Sequence, residues 1–213
     1  MRTGRRVAVL GAGIMGCCTA LMLARRGCAV TLIDKAPAPI SGASRWNEGK
    51  IHLGFLYAAD PSGRTAEKLL PGGLGFRQLM EEMIGESIEP AITAESDIYL
   101  VHPESVVGAE AIGQYFHELD GRLAGQTGYL APLTRATTLT RAELEDVSAA
   151  ATAGFRVPER SVNTLWIADR LRDAIKAEPR IQSIVGTIVD ALAPVEDSKD
   201  GRWQLASRKE RAK

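Results

Sequence analysis

Three glycines at fixed spacing lie near the start of the chain, in the stretch GAGIMG. The pattern G-x-G-x-x-G, placed between a strand and a helix, can bind the pyrophosphate of a dinucleotide. Gly11 permits a tight turn, Gly13 lets backbone N–H groups approach the phosphates, and Gly16 lets helix and strand pack closely. The sequence therefore predicts cofactor contacts at Gly11, Gly13, Ile14, Met15 and Gly16.

An acidic residue, Asp34, follows 23 residues after Gly11. In dinucleotide-binding folds an acid near this spacing accepts hydrogen bonds from the adenosine ribose. The charge of Asp34 would repel the 2′-phosphate of NADP, so NADP is disfavoured. The neighbouring Lys35 carries the opposite charge and is also predicted to contact the cofactor. The motif alone does not distinguish FAD from NAD.

The elements predicted around the motif are the strands and the helix that dinucleotide binding requires. RVAVL (residues 6–10) and CAVTLID (residues 28–34) are short β-branched runs typical of buried parallel strands, and residues 13–26 between them are predicted to form a helix. A secretory signal is disfavoured because its apolar core would not need glycines at this spacing. Residues 5–34 are therefore predicted to form one βαβ unit.

A polar loop, SRWNEGKIHLG from Ser44 to Gly54, begins ten residues after Asp34. It resembles the second flavin-contact segment of the D-amino-acid oxidase (DAO) family of FAD-dependent oxidoreductases, whose pattern is roughly S-x-x-N-x-G-x-I-H-x-G. Two later stretches, SVNTLWIADRL and IVGTIVDAL, are similar to family segments and would place Val189 at the adenine. The resemblance covers most of the chain and implies FAD as the cofactor.

The resemblance also implies roles within the loop. Ser44 and Arg45 would donate to a pyrophosphate oxygen, with a surface ion pair as the alternative for Arg45. The flavin-side contacts would be Asn47, Glu48 and Gly49, the alternatives being an ordinary loop turn and, for Glu48, a solvated or paired carboxylate. The candidates for catalysis, each with a structural or surface alternative, are Lys50 and His52.

The fold class expected is α/β, a Rossmann-like FAD/NAD(P)-binding parallel sheet with an interleaved, incomplete α+β substrate (cap) domain. Residues 1–90 and 161–213 would form a discontinuous FAD-binding domain, and residues 91–160 part of the cap domain. Family members are usually much longer than 213 residues, so the chain is expected to be truncated or one part of a split enzyme.

Local patterns predict the remaining elements. Residues 59–85 are expected to contain two short helices broken at Pro71-Gly72-Gly73, the first capped near Ser62. Thr140 and Glu143 match a capping box at the start of a short helix. Other predictions are strand 97–102, helix 104–119, helix 163–177, strand 181–192, a turn at 197–201 and a hairpin strand at 202–207.

The composition disfavours several classes of partner and site. Lys+Arg and Asp+Glu number 26 each, which disfavours nucleic acid as a partner. The three cysteines are odd in number and clustered, which fits neither a disulfide framework nor a metal site and favours a reducing cytoplasm.

The leading hypothesis is an FAD-dependent oxidoreductase that transfers hydride to flavin from a C–H bond next to an amine or hydroxyl, as in an amino acid or hydroxy acid. Its partners would be a small-molecule substrate, an electron acceptor (oxygen or a carrier), and a second copy or a complementing chain. The alternatives are an NAD-dependent dehydrogenase and a non-catalytic nucleotide-binding fragment that needs a partner chain.

Overall fold

The computed structural model describes residues 4–60, 62–195 and 203–209. Its helices are α1 (Ile14–Arg25), α2 (Arg64–Ile84), α3 (Ala109–Leu123), α4 (Arg141–Val147) and α5 (Thr164–Ala177). Its strands are β1 (Arg6–Leu10), β2 (Ala29–Ile33), β3 (Lys50–Ile51), β4 (Ile98–Val101), β5 (Thr137–Thr138), β6 (Ala153–Arg156), β7 (Arg160–Ser161), β8 (Ile181–Ile184), β9 (Thr187–Pro194) and β10 (Trp203–Lys209). Short 3-10 helices lie at Phe55–Tyr57 and Glu89–Ala91.

The chain divides into two compact units. The first unit comprises Met1–Asn47, Met83–Gly85 and Thr164–Lys213 within the described residues, and the second comprises Glu48–Glu82 and Glu86–Asn163. The assignment of residues 1–90 and 161–213 to an FAD-binding domain stays a prediction about function, whereas these two units describe packing.

A parallel sheet in the order β1-β2-β8 forms the centre of the first unit. Val30 and Leu32 of β2 are almost completely buried, as expected for a central strand covered by helices. Helices α1 and α5 pack against each other, and each presents an apolar stripe, with Leu21 and Leu171 fully buried. The predicted strand–helix–strand unit at the start of the chain is confirmed.

The predicted strand 181–192 is wrong in one respect, because the structure contains two strands there. β8 pairs with β2 in the parallel sheet, whereas β9 pairs antiparallel with β10. Gly186, between them, has a φ of 61°, in the left-handed region where glycine carries no steric penalty. The hairpin predicted for residues 202–207 is confirmed, and the turn predicted at 197–201 lies outside the described residues.

An aromatic cluster forms the core of the second unit. The Phe116 ring on α3 meets Phe55, Tyr99 and Phe155 at centroid distances of 4.9, 5.9 and 5.1 Å, all edge-to-face. Tyr99 and Phe155 come from β4 and β6, which pair antiparallel beside β5. This cluster joins the sheet to α3 and to the chain just beyond the polar loop.

The predicted break at Pro71-Gly72-Gly73 is also wrong, since α2 continues from Arg64 to Ile84 with Pro71 inside it. A Cβ at Gly73 would lie closer than 3.0 Å to the His52 carbonyl oxygen, so this glycine permits close packing rather than a helix end. The start is capped near Ser62 as predicted, with Ser62 Oγ accepting the Arg64 N–H at 3.3 Å.

The other local predictions are confirmed in the type of element, although one helix begins later than predicted. The capping box is confirmed, with Thr140 and Glu143 bonded reciprocally at the start of α4. Helix α3 begins at Ala109, five residues later than predicted, because the chain turns after His102, where the Glu104 N–H donates to His102 Nδ1 and the Ser105 N–H donates to the His102 carbonyl. Among the described residues, no helix is both long and apolar enough to span a membrane.

Candidate functional site

The glycine turn connects β1 to α1 and is hydrogen-bonded to the end of β2. Gly11 has a φ of 94°, and its N–H donates to the Ile33 carbonyl at 2.8 Å. A Cβ at Gly16 would lie closer than 3.0 Å to the carbonyl oxygen of Gly11. Gly13, by contrast, is extended, and a Cβ there would meet only Ser44 Oγ at 3.4 Å. Gly16 is thus needed for packing, whereas the space above Gly13 is open to a ligand.

Asp34 holds this turn through its carboxylate. Its Oδ2 accepts the Ala12 N–H at 2.5 Å, and its Oδ1 accepts the Ala36 N–H at 2.7 Å. Each carboxylate oxygen has a second lone pair, so Asp34 can still accept hydrogen bonds from ribose hydroxyls.

The start of α1 is suited to an anion. Ser44 Oγ accepts the Ile14 N–H at 3.2 Å, and its hydroxyl proton remains to be donated. The first turn of α1, which the structure describes in full, has no acidic side chain. Met15 in this turn is 78% exposed. The positive end of the helix dipole is therefore accessible and uncompensated by a carboxylate of its own first turn.

An arginine that the sequence analysis missed holds the loop between Asp34 and Ser44. Arg172 on α5 donates from Nε to the Pro39 carbonyl at 2.7 Å and from Nη2 to the Ile40 carbonyl at 3.1 Å. Ile40 has a φ of 50°, a conformation that is costly for a β-branched residue, and its N–H donates to the Ala12 carbonyl at 2.7 Å. The strained loop is thereby fixed against the glycine turn.

A cavity of about 480 Å³ opens at the carboxyl ends of β1 and β2. Parallel α/β sheets bind their ligands at this edge. Four of the predicted contacts line it, namely Gly11, Asp34, Lys35 and Val189. Its remaining lining residues are Leu10, Ile33, Thr187, Ile188, Asp190, Ala191 and Leu192. The carboxylate, the apolar walls and the adjacent helix start fit the adenosine and pyrophosphate of FAD.

Arg45 lies in an ion pair rather than free. Its Nη1 is 2.8 Å from Asp169 Oδ1, and the Arg45 guanidinium holds the pKa of that carboxyl below its usual range. Asn47 nearby donates from Nδ2 to the Ala43 carbonyl at 2.8 Å. The contact of Arg45 with pyrophosphate stays a prediction. In this structure Arg45 forms an ion pair with Asp169, as the alternative interpretation of this residue expected.

The later residues of the polar loop belong to the second unit. Gly49 has a φ of 69°, and its carbonyl accepts the Val162 N–H at 2.9 Å, while Glu48 is exposed. Lys50 Nζ lies 3.4 Å from Asp97 Oδ2 and 4.5 Å from the centroid of the Tyr99 ring. The Lys50 charge is therefore already compensated within this unit.

A buried glutamate that the sequence analysis missed organises the chain after His52. Glu159 is 0% exposed, and its Oε1 accepts the N–H groups of Leu53, Gly54 and Phe55 at 2.6, 3.2 and 3.4 Å. Its Oε2 accepts the Tyr99 hydroxyl at 2.6 Å and lies 3.5 Å from His52 Nδ1. No local pattern distinguishes Glu159 from a surface acid, because its partners lie 60 or more residues earlier in the chain.

The protonation states within this cluster follow from its contacts. Burial acts to raise the pKa of the Glu159 carboxyl, but the nearby His52 ring, the Tyr99 hydroxyl and the Leu53 amide outweigh it and hold the pKa below its usual value. Burial and the Glu159 carboxylate raise the pKa of the Tyr99 hydroxyl. Glu159 is thus an anion that accepts, and Tyr99 stays a neutral donor.

The two cysteines in α1, Cys17 and Cys18, are buried packing residues. Burial raises the pKa of the Cys17 thiol to about 12 and that of the Cys18 thiol to about 11. At about pH 8 both are expected to react with a thiol reagent about 100-fold or more slowly than an ordinary cysteine, whose pKa is about 8.5. Their reactivity should rise only as the pH approaches these raised values.

Titration with Ellman's reagent checks this expectation, and a Cys28→Ser variant is the matched control because Cys28 is only partly buried. One thiol should react rapidly in the parent chain and none in Cys28→Ser. Rapid reaction of two or three thiols in the folded chain would contradict the assignment.

Comparison with known proteins agrees with this geometry. The profile of the family described as FAD dependent oxidoreductase (DAO) matches residues 6–211, which is nearly the whole chain. A βαβ unit with a glycine turn, an acid after the second strand and a cavity at the carboxyl edge define a dinucleotide-binding protein. The chain belongs to the DAO family of FAD-dependent oxidoreductases.

Two curated relatives illustrate the similarity. The chain is 39% identical over 87 residues to D-amino acid dehydrogenase 2 of Ralstonia nicotianae, an alignment covering 41% of this chain and 20% of the relative. It is 41% identical over 64 residues to the tRNA 5-methylaminomethyl-2-thiouridine biosynthesis bifunctional protein MnmC of Chromohalobacter salexigens, covering 30% of this chain and 9% of the relative.

Solved structures share the fold. Glycine oxidase from Geobacillus kaustophilus matches with a TM-score of 0.64 at 20% identity, over 95% of this chain and 52% of that one. NikD, an amino acid oxidase of nikkomycin biosynthesis, matches with a TM-score of 0.65 at 14% identity, over 95% and 48%. The chain thus spans about half the length of these enzymes. The predicted family, fold class and FAD cofactor are confirmed.

Proposed function

We propose that this chain carries the FAD-binding part of an oxidoreductase that oxidises a C–H bond next to an amine or hydroxyl in an amino acid or hydroxy acid. The observation that carries the proposal is the cavity at the carboxyl edge of the parallel sheet, which is lined by Gly11 of the glycine turn and by Asp34, whose carboxylate holds that turn. FAD, when bound, supplies the hydride acceptor.

The residues of the first unit would hold the nucleotide end of FAD. Backbone N–H groups from Gly13 to Gly16 and the Ser44 hydroxyl would donate to the pyrophosphate, and Arg45 would add charge if it exchanged Asp169 for a phosphate. Asp34 would accept from the ribose. Lys35 and Val189, which line the same cavity, would contact the adenosine.

The flavin and substrate ends would involve the rest of the polar loop. Asn47, Glu48 and Gly49 are assigned to flavin contacts from the family pattern. His52 would take the proton of the substrate amine or hydroxyl, and Lys50 would stabilise negative charge nearby. Oxygen or an electron carrier would reoxidise the cofactor, and further substrate contacts would come from another segment, a second copy or a complementing chain.

We also place the protein in the cytoplasm. Its three cysteines are free in the structure, and unpaired thiols fit a reducing compartment.

Titration of FAD into the purified chain, followed by flavin fluorescence or calorimetry, tests the proposed function. We expect saturable binding of FAD and little competition by NAD. In Gly13→Ala the added methyl would stand where the phosphates must approach, so FAD affinity should fall about 10- to 100-fold, corresponding to about 1–3 kcal/mol.

Gly13→Ala is informative because the backbone at Gly13 is extended, a conformation open to alanine, and only Ser44 Oγ lies near the new methyl. Its unfolding free energy should therefore stay within about 0.5 kcal/mol of the parent value. Tight binding of NAD with no binding of FAD would favour the NAD-dependent dehydrogenase instead. Undiminished FAD binding by Gly13→Ala would contradict the assigned phosphate site.

A further inference from the structure

The two carboxylate oxygens of Glu159 have different partners. Oε1 accepts only backbone N–H groups, those of Leu53, Gly54 and Phe55. Oε2 faces two side chains, the Tyr99 hydroxyl at 2.6 Å and His52 Nδ1 at 3.5 Å. One oxygen thus holds the backbone, and the other is directed at a titratable ring.

His52 Nδ1 depends on this carboxylate. The nitrogen is buried and has no hydrogen bond to any residue within the described part of the chain, and the 3.5 Å approach to Oε2 is a long charge-assisted contact. The neutral form of a histidine ring carries its proton on one nitrogen and a lone pair on the other. Because Glu159 is an anion that can only accept, the nitrogen facing it must carry the proton.

Other polar groups around the pair have partners of their own. Lys50 pairs with Asp97, and the hydroxyls of Tyr115 and Tyr129 donate to the carbonyls of Gly54 and Ile51 at 2.9 and 2.6 Å. Arg160 donates from Nη1 to the Ala94 carbonyl. None of these contacts supplies an acceptor for His52 Nδ1.

We propose that Glu159 is a positioning residue that fixes the proton of His52 on Nδ1 and so leaves Nε2 with the lone pair that can accept a proton from the substrate. The assignment of the tautomer stands on the contacts of Glu159, whereas the use of Nε2 as a base rests on the proposed function. Glu159 acts through His52 and is not assigned a contact with substrate or cofactor.

Two-dimensional ¹H–¹⁵N spectra of the histidine side chains in the full chain test this proposal. The protein has three histidines, and the spectrum of a His52→Gln variant identifies the signals of His52 by their loss. His102 is an internal reference, because its Nδ1 accepts the Glu104 N–H at 3.1 Å and its proton must therefore lie on Nε2. At about pH 8.5, where an ordinary imidazole with a pKa near 6.5 is neutral, His52 and His102 should show opposite tautomers.

Glu159→Gln separates the two roles of the carboxylate. The amide oxygen of glutamine can keep the three backbone N–H bonds, while its NH₂ group takes the place of Oε2 and donates toward His52 Nδ1. The Nδ1–H form of His52 should then fall relative to the Nε2–H form by about tenfold, the low end for a hydrogen bond to a charged group. The tautomer of His102 should not change.

Tyr99→Phe provides a second variant that retains the Glu159 charge. It removes the other donor to Oε2, so His52 should keep its proton on Nδ1. A parent spectrum with His52 in the Nε2–H form, an unchanged His52 tautomer in Glu159→Gln, or loss of Nδ1–H in Tyr99→Phe would each overturn the proposal. If Glu159→Gln failed to fold, the parent and Tyr99→Phe spectra would still decide.

The experiment is independent of the cofactor. The tautomers are read without FAD or substrate, so a chain that fails to bind FAD would contradict the proposed function and leave the assignment of Glu159 standing. Conversely, FAD binding with His52 in the Nε2–H form would support the function and overturn this inference.

Discussion

Gly16→Ala is expected to destabilise the first unit by about 3 kcal/mol, the upper range for inserting a methyl group into closely packed structure. The added Cβ would overlap the carbonyl oxygen of Gly11, which is backbone and lies in a turn whose φ of 94° is already restricted to glycine. This overlap could be relieved only if α1 moved away from β1. FAD binding should be lost together with stability, because the same turn presents the N–H groups of α1.

Tryptophan fluorescence during urea unfolding measures this effect, because all three tryptophans, Trp46, Trp166 and Trp203, belong to the first unit. Gly121→Ala is the matched control. It makes the same chemical change inside α3, where a Cβ would meet nothing within 4 Å. The control should leave the tryptophan transition unchanged, and an unchanged transition in Gly16→Ala would show that α1 does not pack as described.

Glu159→Ala is expected to destabilise the second unit by about 3–5 kcal/mol, because four buried donors lose the acceptor that they share. The loss of the carboxylate leaves the N–H groups of Leu53, Gly54 and Phe55 and the Tyr99 hydroxyl without their acceptor. Each buried donor without a partner costs about 1–3 kcal/mol, and relaxation of the loop recovers part of this cost.

The tyrosines report on this change separately from the tryptophans, since Tyr57, Tyr99, Tyr115 and Tyr129 all lie in the second unit. Near-ultraviolet circular dichroism of tyrosine during urea unfolding should show an earlier transition in Glu159→Ala. Glu159→Gln, which keeps an acceptor for the backbone, should lower the free energy of unfolding far less. If the two variants lowered it equally, the backbone N–H groups would not depend on Oε1.

The parts of the site that were predictable from sequence are those whose signals are local. The three glycines of GAGIMG and Asp34 act through backbone geometry within one βαβ unit, so their spacing alone describes the turn. Thr140 and Glu143 likewise bond across three residues. The distinction between FAD and NAD came from resemblance to a family rather than from the chemistry of any one residue.

The parts that were missed depend on partners far away in the chain. Arg172 binds the carbonyls of Pro39 and Ile40 from more than 130 residues away, and an arginine on an amphipathic helix is usually a surface residue. Gly73 resembled a helix breaker because a glycine required for close packing looks identical to one that ends a helix.

The contact between Glu159 and Leu53 has a consequence for synthesis of the chain on the ribosome. The two residues are separated by 106 positions, so the segment after His52 leaves the ribosome long before its acceptor exists. At elongation rates of about 5–20 residues per second, this interval lasts roughly 5–20 s. Until then the N–H groups of residues 53–55 lack their native acceptor, and the nascent second unit must close a long loop before the ring of His52 meets the carboxylate of Glu159.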